Sequence, residues 1–303
     1  MTVGARSHGP SIGWRSMMAN GLHRLPYPVH RWLPEEQRVD LRHWLGRYRP
    51  WEAGFDLTPP AVAPDETTGP PDYVGIGVTL GGATWWHGLV TDHPGVSVRS
   101  DLPGARHYLS RFATEPFGPE QMDAYHHLFP RPLGTIAGEW SPSYSTLPWV
   151  LPLLARAAPG ARLIMIVRDP VERLRLAMAL GRERRRSQVG TALADAVERG
   201  FYGAQLRQVL VAFPRSQVLV LQYETCLDDP AGQLATTYRF LGLDDTHRPV
   251  GLHRAFRPGP VTAPTLELEA RERLVDLYAS DVAELVSMVP DLDLHRWPHF
   301  TPD

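Results

Sequence analysis

The sequence predicts an α/β fold, with three αβα layers built around a mainly parallel central sheet. Two short apolar runs, residues 73–78 and 162–167, have the length and the β-branched content of buried strands. Segments with apolar residues at helical spacing follow them, and glycine or proline separates the segments. Strands that alternate with helices form parallel sheets, whose ligands bind at the carboxyl ends of the strands.

Composition excludes several classes of protein. The 303 residues carry a formal net charge of −2, which leaves no basic excess for a nucleic-acid partner. The single cysteine, Cys226, excludes a disulfide framework and a CxxC motif, and no pair of residues has metal-ligand spacing that its context supports, so we expect no zinc site. All 31 basic side chains in the Lys+Arg count are arginines, so an NTPase of the Walker type, which needs a loop lysine, is excluded as well.

The sequence also bears on cellular location. No stretch approaches the roughly 20 apolar residues that a membrane-spanning helix needs, and the first residues lack the apolar segment of a signal peptide. We therefore expect a cytoplasmic protein without a membrane span; its oligomeric state stays open.

We expect two parts in the chain, an N-terminal extension of residues 1–70 and an α/β domain of residues 71–303. Short helices are predicted at 16–22 and 35–48, and the proline-rich connector 57–71 can hold neither a helix nor a central strand. Four tryptophans are predicted to pack the extension onto the domain: Trp14, Trp32, Trp44 and Trp51.

The first strand leads into a glycine-rich turn and then a helix. Gly81 and Gly82 allow close approach of the backbone, and the helix start directs N–H groups and the positive end of its dipole into the turn. Such a turn binds anions, most often phosphate or sulfate. A lysine usually completes it, but the corresponding residue here is Leu80.

The remaining elements of the domain follow from the same patterns. Residues 96–130 are expected to be mostly irregular, which is typical of loops that contact a substrate. Pro170 fits the first turn of a helix that follows the strand 162–167. The other predicted elements are strands at 134–138 and 217–223 and helices at 147–158, 200–213 and 228–241.

Several motifs, in this order, resemble those of the bacterial, small-molecule type of sulfotransferase that uses 3′-phosphoadenosine-5′-phosphosulfate (PAPS). GVTLGGATWW stands where that family has a strand, a lysine-bearing glycine turn and a helix start. VRDPVERLRLAMAL is similar to its 3′-phosphate segment, and GEWSPSYS, FYGAQLRQVLVAFPRSQVLVLQYE, LDDP and FLGL are similar to later landmarks. The resemblance implies a P-loop-like sulfotransferase fold from about residue 72 onward.

The resemblance also implies a site for PAPS or for its product, adenosine 3′,5′-bisphosphate (PAP). The amides of Gly81 and Gly82 and the hydroxyl of Thr84 would hold the 5′-phosphosulfate. Arg168 would bind the 3′-phosphate through paired, charge-assisted hydrogen bonds. The other implied nucleotide contacts are Trp85 on the adenine, Tyr202 near the nucleotide and Arg257 over the 3′-phosphate.

Two residues depart from the family pattern. Leu80 replaces the lysine that neutralises the bridging oxygen as it leaves, and Leu176 replaces a serine that holds the 3′-phosphate. Losing one transition-state donor typically costs about 10² to 10³ in rate. A nicotinamide dinucleotide is a poorer fit, because Trp85 and Trp86 are too bulky for that glycine motif.

An acceptor hydroxyl needs a group that takes its proton, and the family uses a histidine or a carboxylate. His107, in RHYL, stands where relatives often carry a histidine–aromatic segment, so it is the first candidate. The other candidates are Asp101, Glu139 and His87. Glu139 alternatively organises its loop through hydrogen bonds to the backbone or to Ser141.

Three functions remain open at this point. The first is transfer of a sulfuryl group from PAPS to a hydroxyl of a small molecule, such as a secondary metabolite or a glycolipid, with arginine or histidine replacing the lysine. The second is a descendant of the fold that has lost PAPS and performs acid–base catalysed cyclisation, elimination or hydrolysis. The third is a binding protein without catalysis.

Overall fold

The computed structural model describes residues 57–113, 115–184, 189–252 and 265–301. The helices predicted at 16–22 and 35–48, the four N-terminal tryptophans and Arg257 lie outside these residues, so the proposed division at residue 70 stays a prediction. The strands are β1 (Glu66–Thr67), β2 (Tyr73–Gly77), β3 (Arg131–Pro132), β4 (Gly138–Trp140), β5 (Arg162–Val167) and β6 (Val218–Gln222). The α-helices are α1 (Ala83–Thr91), α2 (Pro119–His126), α3 (Val150–Ala157), α4 (Pro170–Arg184), α5 (Val189–Glu198), α6 (Tyr202–Ala212), α7 (Tyr223–Asp228), α8 (Pro230–Leu241) and α9 (Leu268–Met288).

A parallel sheet in the order β4-β2-β5-β6 forms the centre of the domain. Val74 of β2 pairs with Glu139 on one side and with Leu163 on the other. The short strands β1 and β3 form a separate antiparallel pair. Because β2 lies between β4 and β5, the chain segments that leave these three strands meet at one edge of the sheet.

Helices cover both faces of the sheet. Along β5, Leu163, Met165 and Val167 face one core, and Ile164 and Ile166 face the other. Helices α3, α6 and α9 contribute to the first core, and α1 and α8 to the second. The predicted α/β arrangement, a mainly parallel sheet between helical layers, is confirmed. None of the described helices is long and apolar enough to cross a membrane.

Two predicted segments differ in part from the structure. A turn occupies the start of the segment predicted as strand 134–138, where Gly134 has a φ of 84° and the Thr135 amide donates to the Pro132 carbonyl. Residues 96–130 are mostly irregular, as predicted, but they also contain α2 and a 3₁₀ helix, Tyr108–Ala113, which the sequence analysis did not predict. Helix α2 begins with proline in its first turn, and the Gln121 side chain accepts from the Gly118 amide at 3.0 Å.

The helix predicted at 228–241 is present as α8, which begins at Pro230, because Asp228 still belongs to α7. Asp229 stands between α7 and α8, and its carboxylate accepts from the Gly232 amide at 3.0 Å. An aspartate N-cap followed by Pro230 starts a new helix. The sequence LDDP carries this signal, which a helix drawn through residue 228 overlooks.

Trp86 provides a test of the core between α1 and α8. Its side chain is fully buried, and its Nε1–H donates to the Thr237 hydroxyl at 3.1 Å. We expect Trp86→Ala to lower the free energy of unfolding by about 3–5 kcal/mol, because it removes a large buried ring and leaves a cavity. Urea unfolding followed by far-UV circular dichroism measures the change.

Leu133→Ala is the control, since Leu133 is 82% exposed and should change stability by no more than about 0.5 kcal/mol. A loss below about 1 kcal/mol for Trp86→Ala would contradict the described core.

Candidate functional site

The carboxyl ends of the parallel strands bring four chain segments to one edge of the sheet. The loop 78–82 leaves β2, Ser141 follows β4, Arg168 follows β5 and Tyr223 follows β6. These are the positions at which an open α/β sheet binds its ligands. The prediction that the glycine turn, Glu139 and Arg168 converge at this edge agrees with the strand order.

The glycine turn has no room for side chains. A Cβ at position 81 would lie 2.5 Å from the Ile166 carbonyl oxygen, and one at position 82 would lie 2.6 Å from the Tyr223 ring. Gly82 also has a φ of 96° and is the N-cap residue of α1. Close packing of the turn therefore fixes the start of α1 at the edge of the sheet, where its first N–H groups have no helical acceptors.

One predicted amide donor is already used within the turn. The N–H of Gly81 donates to the Val78 carbonyl at 3.0 Å, which conflicts with the expectation that it binds a ligand. The amides that begin α1, from Gly82 to Thr84, are better placed for an anion. The Thr84 side chain is exposed at this helix start, as its expected role requires.

Two non-glycine residues at this edge have backbones in the left-handed region. Leu80 has a φ of 67° and His107 a φ of 49°. Such conformations cost of order 1–3 kcal/mol and are concentrated at functional sites. Leu80 is half-buried in the turn, and Leu176, at the other departure from the family pattern, is half-buried on α4.

Hydrogen bonds from the segment after β4 hold His107. Its amide donates to the Ser141 hydroxyl at 2.9 Å, and its Nδ1 lies 2.9 Å from the Ser143 hydroxyl. Burial lowers the pKa of His107 to about 4, and the positive charge of Arg199 lowers it further in the same direction. The imidazole is therefore neutral at neutral pH and able to accept a proton.

Glu139 lies behind His107, in the wall of the site. Its carboxylate is fully buried and accepts from the hydroxyls of Ser141 at 2.5 Å and Tyr125 at 2.7 Å, and from the Arg106 amide at 3.2 Å. Direct proton transfer by Glu139 conflicts with this burial. The bonds support its other predicted role, because Ser141 links Glu139 to the backbone of His107.

The structure adds Arg199, which the sequence analysis did not select. Asp195 holds its guanidinium through Nε at 2.8 Å and Nη2 at 3.0 Å, and Nη1 donates to the Thr79 hydroxyl at 3.2 Å. The Thr79 hydroxyl in turn donates to the Pro142 carbonyl at 3.3 Å, which ties the loop after β2 to the segment after β4. Two sequence signals pointed here: the chain has no lysine, and only Gly200 separates Arg199 from the motif that begins FYGAQ.

Arg168 contacts the ring of Tyr223 at the same edge of the sheet. Its guanidinium stacks 4.8 Å from the centre of the Tyr223 ring, which packs against Gly82. Trp85 contacts the same ring edge-on and is 7% exposed. Adenine stacking on Trp85 requires an open face, so the predicted role conflicts with its position in the core.

The other candidates lie apart from this group. Asp101 is on the surface, where Arg99 binds both carboxylate oxygens and lowers the pKa of that carboxyl, so it is a poor base. His87 packs beside Trp140 in the core that contains α1, and burial lowers its pKa to about 4. The whole side chain of Tyr202, including its hydroxyl, is buried, which conflicts with a contact to a bound nucleotide.

The edge therefore combines two chemical functions. Helix-start amides and two guanidinium groups can bind an anion, and a neutral imidazole can accept a proton. Among the described residues, no group of three or more His, Cys, Asp or Glu side chains is placed to hold a metal ion.

Comparison with known proteins agrees with this arrangement. The model of the Sulfotransferase family matches residues 106–247, which contain His107, Glu139, Arg168 and Arg199. Human heparan sulfate glucosamine 3-O-sulfotransferase 3B1 is 28% identical over 188 residues, which are 57% of this chain and 46% of that protein. Human heparan sulfate glucosamine 3-O-sulfotransferase 6 is 33% identical over 134 residues, 39% of each chain. This chain thus spans less than half the length of these curated relatives.

A solved structure extends the comparison. The sulfotransferase from Alicyclobacillus acidocaldarius is 25% identical, with a TM-score of 0.61 over 75% of this chain and 98% of that one. Together, the family model, the relatives and the shared fold support assignment of this chain to the sulfotransferase family.

Proposed function

We propose that this protein transfers a sulfuryl group from PAPS to a hydroxyl group of a small molecule. The observation that carries the proposal is that both arginines contact the surroundings of the α1 start, Arg168 through the Tyr223 ring that packs on Gly82 and Arg199 through Thr79, while His107 is neutral. The relatives are named as O-sulfotransferases, which supports a hydroxyl acceptor.

The residues present fit a nucleotide with several negative charges. Amides at a helix start and arginine side chains are the groups that proteins use for phosphate and sulfate. Leu80 and Leu176 supply no polar contact, so binding depends on the arginines and the amides. The second hypothesis, loss of PAPS in favour of other acid–base chemistry, draws its support from these two leucines.

The reaction needs one proton acceptor and one site for negative charge. The acceptor oxygen forms a bond to sulfur while the bond between sulfur and the 5′-phosphate oxygen breaks. His107 takes the hydroxyl proton, and PAP leaves with the bonding electrons. The amides and guanidinium groups stabilise the charge that develops on the departing phosphate oxygen.

Binding of PAP tests the proposal. Calorimetry should detect PAP at micromolar concentration, and Arg168→Gln should weaken the affinity about 10–100-fold, because it removes charge-assisted hydrogen bonds worth about 1.5–3 kcal/mol. Arg162→Gln is the matched control, since Arg162 is an exposed arginine at the amino end of the same strand. No heat from millimolar PAP would overturn the proposal in favour of a function without PAPS.

The pH dependence of turnover tests His107. Slow hydrolysis of PAPS to PAP and sulfate, with water as the acceptor, avoids the need for the natural acceptor. Because the pKa of His107 is lowered to about 4, the base is deprotonated above that value; the rate should stay level from pH 8 to about 5.5 and halve near pH 4. Circular dichroism at each pH verifies that the chain is folded.

His107→Gln should reduce the rate about 10²–10⁴-fold at every pH. A rate that halves near pH 6.5, the ordinary value for histidine, would contradict the lowered pKa of His107.

Glu139→Gln tests the positioning of His107. The amide cannot accept from all the donors that the carboxylate serves, so we expect a loss of about 2–3 kcal/mol in the free energy of unfolding. The saturated rate of PAPS hydrolysis should fall, while the apparent pKa of the acid limb should remain that of His107. Disappearance of the acid limb from Glu139→Gln would restore Glu139 as the base.

A further inference from the structure

We propose that Arg199 is a catalytic residue that replaces the missing loop lysine and neutralises the leaving group of the sulfuryl donor. The inference rests on the proposed function. It assigns stabilisation of the leaving group's charge in that reaction to Arg199, the residue that follows α5. The loop lysine of the family pattern is Leu80 here, and no lysine occurs elsewhere in the chain.

The position of Arg199 supports this role. Its Nη1 lies 3.2 Å from the hydroxyl of Thr79, the residue directly before Leu80. A cation at this point faces the same turn that the lysine would occupy. Arg168 stacks on Tyr223, which contacts Gly82 at the other end of the same loop. The two arginines are therefore linked to opposite ends of the loop 78–82, Arg199 through Thr79 and Arg168 through the Tyr223 ring.

The hydrogen bonds of Arg199 leave donors for a ligand. A guanidinium group has five N–H donors. Asp195 takes Nε–H and one Nη2–H, and Thr79 takes one Nη1–H. In the bonds formed by the described residues, one hydrogen thus remains on each of Nη1 and Nη2, and the side chain keeps 14% of its surface exposed.

Several contacts hold Arg199 in place before any ligand binds. The Gln205 side-chain amide donates to the Arg199 carbonyl at 3.2 Å, and Gln205 accepts from the buried Ser145 hydroxyl at 2.8 Å. Asp195 fixes the plane of the guanidinium. Fixed donors stabilise developing charge more than mobile ones, because they need no reorganisation during the reaction.

The charges around the site agree with a cationic role for Arg199. Asp195 is the acidic partner of Arg199, and its own side chain is 48% exposed, so solvent screens that pair. Arg199 also acts electrostatically on His107, which places the cation close to the proposed base. A cation and a neutral base side by side match the two charges that separate during sulfuryl transfer.

The test compares Arg199→Gln with Arg207→Gln in the full chain. Arg207 is an exposed arginine on α6 that pairs with Glu284, and it has no assigned role in the site. Two quantities are measured: the Kd of PAP by calorimetry and the saturated rate of PAPS hydrolysis to PAP and sulfate. We expect Arg199→Gln to lower the rate about 10²–10³-fold and to weaken PAP binding less than about tenfold, and Arg207→Gln to leave both unchanged within about twofold.

A second variant separates a catalytic role from a structural one. Adding Leu80→Lys to Arg199→Gln returns a cation to the turn, and the left-handed backbone at position 80 accommodates lysine no worse than leucine. We expect the double variant to recover at least about tenfold of the lost rate. Loss of a merely structural contact would not be rescued by a charge at position 80.

The possible failures are distinct. If the unchanged protein does not bind PAP, the proposed function fails and this inference fails with it. If it binds and hydrolyses PAPS but Arg199→Gln keeps more than about a third of the rate, or Leu80→Lys gives no rescue, the role of Arg199 is overturned while the proposed function stands.

Discussion

The turn after β2 accommodates main chain but no side chain at two successive positions, and the rest of the site depends on this close packing. The Ile166 carbonyl of β5 closes it from one side and the Tyr223 ring from the other. These contacts fix the direction of α1 and place its first amides at the edge of the sheet. They also determine where Thr79 and Leu80 lie, and so which cations can reach the turn.

A chain without lysine must arrange its positive charge differently around such a turn. A lysine in the loop supplies a flexible point charge, whereas arginine supplies a planar group that needs partners to orient it. Arg168 obtains this support from the Tyr223 ring and Arg199 from Asp195 and Thr79. The proposed base is supported in a similar way. The buried carboxylate of Glu139 accepts from the Ser141 hydroxyl, which accepts from the His107 amide and so holds its backbone. Many residues around the site thus serve to orient the groups that would contact the ligand.

Local patterns were enough to predict the sheet, the glycine turn and the position of Arg168 after a strand, because each depends on a short stretch of sequence. The strand at 162–167 and the proline after it needed no tertiary information. Arg199 was missed because packing of α5 against a distant loop brings it to Thr79. The burial of Trp85 and Tyr202 was missed for the same reason, since a tryptophan or tyrosine in sequence does not reveal whether its ring faces a ligand or the core.

A crystal structure with PAP bound at saturating concentration tests the central claim most directly, that this edge is an anion site formed by helix amides and two arginines. The account predicts the 5′-phosphate at the start of α1, within hydrogen-bonding distance of the amides and facing Arg199, with Arg168 on the 3′-phosphate. Nucleotide bound elsewhere, or a saturated crystal in which neither arginine contacts a phosphate, would contradict it.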